Sequence, residues 1–176
     1  DLYNTALRQD RAADYASETE NAGLLQLRDA EGNSKSWLGS VMRDKYSARV
    51  WRPLTEKDYF EISFSTKGYK NIKVAAAMGD DYNAYSVNYM QVSTNGTDFT
   101  TVGTYNLPNR GWESKEFALP ASCEEQAKIW VRFMPDYSSP LTGVESVNDG
   151  TAVAEIFVLA DSNQADDHEA PLLVTS

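Results

Sequence analysis

Residues 79–85 read Gly-Asp-Asp-Tyr-Asn-Ala-Tyr, and Asp80, Asp81, Tyr82, Asn83 and Tyr85 together have the make-up of a sugar site. Aromatic rings stack on the apolar faces of pyranoses, while amide and carboxylate groups fix the hydroxyls. Trp112, which follows Asn109, Arg110 and Gly111 in another loop, offers a further ring. Trp130 stands with Lys128 and Arg132 on the side opposite Ile129 and Val131, which can place it outside a core. The competing role for each ring is packing, because tryptophan is usually largely buried.

The same inventory speaks against catalysis. The one histidine, His168, falls in the acidic stretch 161–169, so neither a Ser-His-Asp nor a Cys-His arrangement has a base on the folded body. Cys123 is followed by Glu124 and Glu125, whose charges raise a thiol pKa and blunt the nucleophile. Zinc sites need Cys/His clusters, and the sequence has none. The neighbouring carboxylates Asp80/Asp81 and Glu124/Glu125 would point to opposite faces of a strand, so they read as solvated loop charges rather than a glycosidase pair.

Composition sets the outer limits. The 176 residues carry a net charge of −10, with 41% hydrophobic and 11% aromatic residues. That length fits one domain with a sizeable core. The acidic balance excludes nucleic-acid binding through phosphates, which requires lysine and arginine to displace counterions. No apolar run is long enough to insert into a membrane. A single cysteine excludes an internal disulfide.

The elements that must hold these residues are strands. Phe60, Ile62 and Phe64 alternate with Glu61, Ser63 and Ser65, which predicts a strand with one face buried. Ile72, Val74, Ala76 and Met78 alternate in the same way, as do Ile129, Val131 and Phe133. Asn95-Gly96 between two such runs marks a tight hairpin, because both residue types tolerate positive φ. In the last strand Ala152, Ala154, Ile156 and Val158 are set against Val153, Glu155, Phe157 and Leu159. Residues 24–28, 37–42 and 48–51 are plausible strands, and the first residues suggest a short helix or an irregular arm. At least seven short strands with little helix predict an all-β fold, an antiparallel β-sandwich of jelly-roll type.

The segments Ser93-Thr94-Asn95-Gly96-Thr97-Asp98-Phe99, Trp112, Leu119-Pro120, 129–133 and Gly150-Thr151 resemble the galactose-binding-like jelly-roll modules of secreted and surface multidomain proteins of Bacteroidetes-type bacteria. The likeness spans about residues 55–160 and lies in scaffold positions. It implies a non-catalytic accessory module, secreted or on the cell surface, beside neighbouring domains of a parent protein. It also implies a structural calcium ion, for which Glu155 in the last strand supplies an oxygen, with Glu20, Glu18 or Asp29 as partners. Residues 1–22 are then an N-terminal arm or first element, 23–160 the sandwich, and 161–176 a linker with the start of a truncated following domain. The expected role is presentation of neighbouring domains with glycan binding at the loop ends. The alternative is a purely structural or protein-interaction spacer.

Overall fold

In β7 (Tyr59–Phe64) the alternation becomes structure: Phe60, Ile62 and Phe64 are buried in the core. A computed structural model describes residues 6–8, 11–12, 23–49, 57–80, 85–108, 110–139 and 150–163. Among them thirteen antiparallel strands form two sheets. The six-stranded sheet has the order β1 (Ala6–Arg8), β5 (Trp37–Met42), β6 (Lys45–Arg49), β13 (Ala152–Ser162), β8 (Tyr69–Gly79) and β11 (Trp112–Ala118). The other runs β10 (Thr100–Asn106), β9 (Val87–Ser93), β12 (Ile129–Pro135), β7, β3 (Leu24–Arg28) and β2 (Arg11–Ala12), with β4 (Ser34–Lys35) paired to β3. From β6 onward the chain passes repeatedly between the sheets, so strands distant in sequence become neighbours. The antiparallel β-sandwich expected from the alternation is the observed fold.

Between the sheets lies one apolar cluster that includes Phe60, Ile62, Val74, Met78, Met90, Ile129, Val131 and Phe133. Trp37 meets Phe60 edge-on at 6.5 Å, and Tyr105 meets Phe117 edge-on at 5.6 Å. Both are favourable aromatic geometries. The Tyr105 hydroxyl donates to the Ala76 carbonyl at 3.2 Å and so links β10 to β8 across the core. Burial raises the pKa of that hydroxyl.

Four local features depart from the sequence expectations. In place of a short helix or arm, Ala6–Arg8 pairs with β5 and Arg11–Ala12 with β3, one strand for each sheet. The Asn95-Gly96 segment does join a hairpin, but through the longer connection 94–99. Only Gly96 there has positive φ, at +80°. Asn95 instead folds the turn with its side chain, its Oδ1 accepting from the N–H groups of Thr97 and Asp98, both at 2.9 Å. This is the Asx alternative to a backbone turn. In β13 the alternation breaks at a bulge after Ala154, where Glu155 takes φ +50°. Ala152, Val153 and Ala154 are all buried, while Phe157, Val158 and Leu159 are exposed. Finally, Glu61 and Ser63 on the polar face of β7 are buried too, at 4% and 6% exposure, so that face is not simply solvated.

Loop carboxylates hold the connections. The Asp136 carboxylate accepts from the Ser138 hydroxyl at 2.6 Å and its N–H at 3.0 Å, which lower its pKa below the ordinary 3.8. The Gly68 N–H, at 2.9 Å from Glu125, and the Asn163 amide lower that of Glu125 below 4.5. A carboxylate with a depressed folded-state pKa contributes stability that is complete above its unfolded value and is lost as pH falls through the folded one. The urea midpoint is therefore expected to drop as pH falls from about 5 through the lowered folded-state pKa values of these carboxylates. Asp136→Asn, measured in the same titration, flattens that drop.

Candidate functional site

The residues expected at the loop end separate in the structure. Asp80 is completely buried rather than solvated. Its Oδ1 accepts from the Gly111 N–H and its own N–H donates to the Gly111 carbonyl, both at 3.1 Å. It therefore ties the end of β8 to the start of β11. Trp112 begins β11 and its indole packs against Gly79, where an added Cβ would stand 2.5 Å from the ring. Its Nε1 donates to the Met42 carbonyl at 3.3 Å, which joins the β5–β6 hairpin to β11. Tyr85 packs edge-on against Tyr137 at 5.0 Å beside the core. Asp81, Tyr82 and Asn83 lie outside the described residues, as does His168.

Of the carboxylates expected to hold calcium, Glu20 is outside the described residues and Glu155 is half-exposed on β13. Both Glu155 oxygens accept from the Lys45 ammonium at 2.8 Å. An ion at this carboxylate would have to displace that ammonium, and no group of three or more metal-type ligands occurs among the described residues. Cys123 is buried, and burial is what raises its thiol pKa. The adjacent glutamates invoked from the sequence are not the cause.

What the strands do bring together is the outward face of the seven-stranded sheet. Because Ile129, Val131 and Phe133 enter the core, Trp130, Arg132 and Met134 project the other way. Register then lines up Gln26, Glu61, Arg132, Gln91 and Thr101 across five strands, β3, β7, β12, β9 and β10. At about 4.8 Å per strand the row extends roughly 19 Å. On one side of it Arg28 pairs with Tyr59, and Tyr89 with Met134 and Thr104. On the other, Trp130 stands between Ser63 and Ser93.

The polar groups of this face are held in position. Arg28 donates through Nε to Glu61 at 2.8 Å, through one Nη to Gln26 at 2.5 Å, and through the other to the Gly32 carbonyl at 2.6 Å. Arg132 Nε donates to the Gln91 carbonyl oxygen at 2.8 Å, and the Gln91 amide donates to the Thr101 hydroxyl at 3.0 Å. The Arg132 guanidinium lies 3.8 Å from the Phe99 ring and 5.5 Å from the Tyr59 ring, within range of cation–π attraction. Lys128 stands 5.0 Å from the Trp130 ring, and the turn at Gly96 backs onto that indole. Burial raises the Tyr59 pKa, with Glu61 adding to it. The hydroxyl of Tyr89 donates to Asp136 at 3.2 Å, and this bond raises its pKa.

Chemically the face combines half-buried rings with donors and acceptors whose rotamers are already fixed, which suits recognition rather than bond breaking. Trp130 and Arg132 were identifiable from alternation in the sequence. Tyr59, Phe99, Gln26 and Gln91 were not, because their proximity depends on the order of strands. The available signal was the polar half of each alternating run, Tyr59 and Glu61 in one and Tyr89 and Gln91 in another.

No family model matches the chain, and no curated protein matches it. Among solved structures it is similar to a CBM4 structure, with 11% identity and a TM-score of 0.49 over 92% of this chain and 100% of that one. It is also similar to the K2 cleaved adhesin domain of Lys-gingipain, with 12% identity and a TM-score of 0.46 over 84% and 96%. A third is the CBM22-2 xylan-binding domain of Paenibacillus barcinonensis Xyn10C, with 10% identity and a TM-score of 0.43 over 86% and 91%. At these values no ligand and no residue role passes from those proteins to this chain.

Proposed function

We propose that this chain is a non-catalytic accessory β-sandwich module of a secreted or surface bacterial protein, and that it binds glycan on the outward face of its seven-stranded sheet. The observation that carries this is the Tyr59–Arg132–Phe99 stack set in the row from Gln26 to Thr101. Rings there offer stacking surface, and the fixed amides and guanidinium offer hydroxyl partners at little further ordering cost. This reading puts the binding surface on the sheet, whereas the sequence expectation for residues 79–85 is the loop end. Titration with a panel of oligosaccharides is expected to shift tryptophan emission through Trp130. Tyr59→Ala is expected to weaken binding about tenfold, the loss of one good aromatic contact. A flat response to every sugar would remove the proposal.

A second reading, a spacer that contacts protein, draws on the exposed Phe157, Val158 and Leu159 of β13. Among the described residues β6 pairs only with Ala152 and Val153 of that strand. A structural calcium ion at Glu155 belongs to the proposal only if it displaces Lys45. Melting in calcium and in EDTA tests this, with a higher midpoint in calcium expected for a bound ion.

A further inference from the structure

The charges on the sheet face bear on which sugars it takes. A net charge of −10 disfavours an acidic polymer over the molecule as a whole. The face departs from that average. Glu61, its side chain 5% exposed, is bonded to Arg28 at 2.8 Å, so that pair cancels. Arg132, next in the same row, spends its Nε on Gln91 and is flanked by the rings of Phe99 and Tyr59. No carboxylate among the described residues is bonded to it. Lys128 is exposed over Trp130, again with no bonded carboxylate. Of the other acids near this face, Asp136 already accepts from Ser138 and Tyr89, and Asp98, next to Phe99, accepts from the Asn95 amide at 2.7 Å.

Arg132, which feels the charge of Glu61 and shares a side-chain hydrogen bond with Tyr59, and Lys128 therefore lie four residues apart along β12 and its approach, roughly 13 Å in an extended chain, each with an aromatic ring beside it and neither bonded to a carboxylate among the described residues. Burial disfavours the Arg132 charge and lowers its pKa, although a guanidinium stays protonated. A carboxylate brought to its Nη edge would form charge-assisted hydrogen bonds in a partly dehydrated setting. Given that the face binds glycan as proposed above, we infer that its ligand is an acidic polysaccharide whose sugar rings bear carboxylates. One uronate sits on the Nη edge of Arg132, and Lys128 meets a further charge along the same strand.

Affinity electrophoresis and calorimetry with polygalacturonate, its fully methyl-esterified form, alginate, cellohexaose and xylohexaose test this. At least one carboxylated polymer is expected to bind tenfold or more tighter than the ester and the neutral sugars, and to weaken in high salt. Arg132→Gln is expected to lose about ten- to a hundredfold toward the acid form, the range for hydrogen bonds to charged groups. Arg132→Lys should recover only part, since it keeps the charge without the fork or the stack. Lys128→Gln, at an exposed position, gives an independent loss if Arg132→Gln melts early. Equal affinity for the acid and ester forms, or for acidic and neutral sugars, overturns the acidic specificity and leaves glycan binding standing. Binding to none of the polysaccharides overturns both.

Discussion

Arg28→Ala is expected to destabilise the sandwich by about 3 kcal/mol, the lower end of the cost of breaking a buried ion pair. The Glu61 side chain is 5% exposed and that of Arg28 24%, so the substitution admits some water but leaves a carboxylate in a largely dry site. Gln26 and the Gly32 carbonyl lose their guanidinium partner at the same time. The pair is not expected to be a large net contributor, because two charges were dehydrated to make it. The double variant Arg28→Met/Glu61→Gln should accordingly recover most of the loss. Urea unfolding of the parent, the single variant and the double variant measures both quantities. A single variant within about 0.5 kcal/mol of the parent, the range of ordinary surface changes, would mean that the pair is effectively solvated. Because Glu61 adjoins Arg132 in the binding row, Arg28→Ala should also weaken glycan binding.

Gly103→Val should cost about 2 kcal/mol, as overpacking of a filled site does. Gly103 follows an irregularity in the β10–β9 register, and an added Cβ would stand 2.3–2.4 Å from three ring carbons of Phe117. The ring would have to turn away and lose its edge contact with Tyr105. Valine has the higher strand propensity, so a bare propensity argument predicts the opposite sign. Phe117→Ala made in the Gly103→Val background should cost less than in the parent, a coupling that a double-mutant cycle reads directly. Additive costs would show that the two residues do not compete for space.

The core was largely legible from the chain itself. Phe60, Ile62 and Phe64, or Ile129, Val131 and Phe133, declare their faces because side chains alternate at period 2 wherever the backbone is extended. Legibility failed where the backbone leaves that period, as at the bulge of β13, which buries Ala152, Val153 and Ala154 in succession. It failed again where a polar residue replaces an apolar one for structural reasons. Asp80 looks like a loop acid by type, yet its burial follows from two bonds to Gly111, thirty-one positions away. Trp112 looks like a sugar platform, yet Gly79 leaves room for its ring and Met42 takes its N–H.

By itself the sequence determined the class of fold, the strands and the facing of most core residues, since these follow from local alternation and turn chemistry. Only the tertiary structure decided what shares the outward face of the seven-stranded sheet. Gln26, Glu61, Arg132, Gln91 and Thr101 come from five strands spread over 107 positions of the chain, from Gln26 to Arg132. They form one row because of strand order and register, and local sequence encodes neither. Whether Arg132 meets a carboxylate or a pair of rings follows from that row, and so does the proposed choice of ligand.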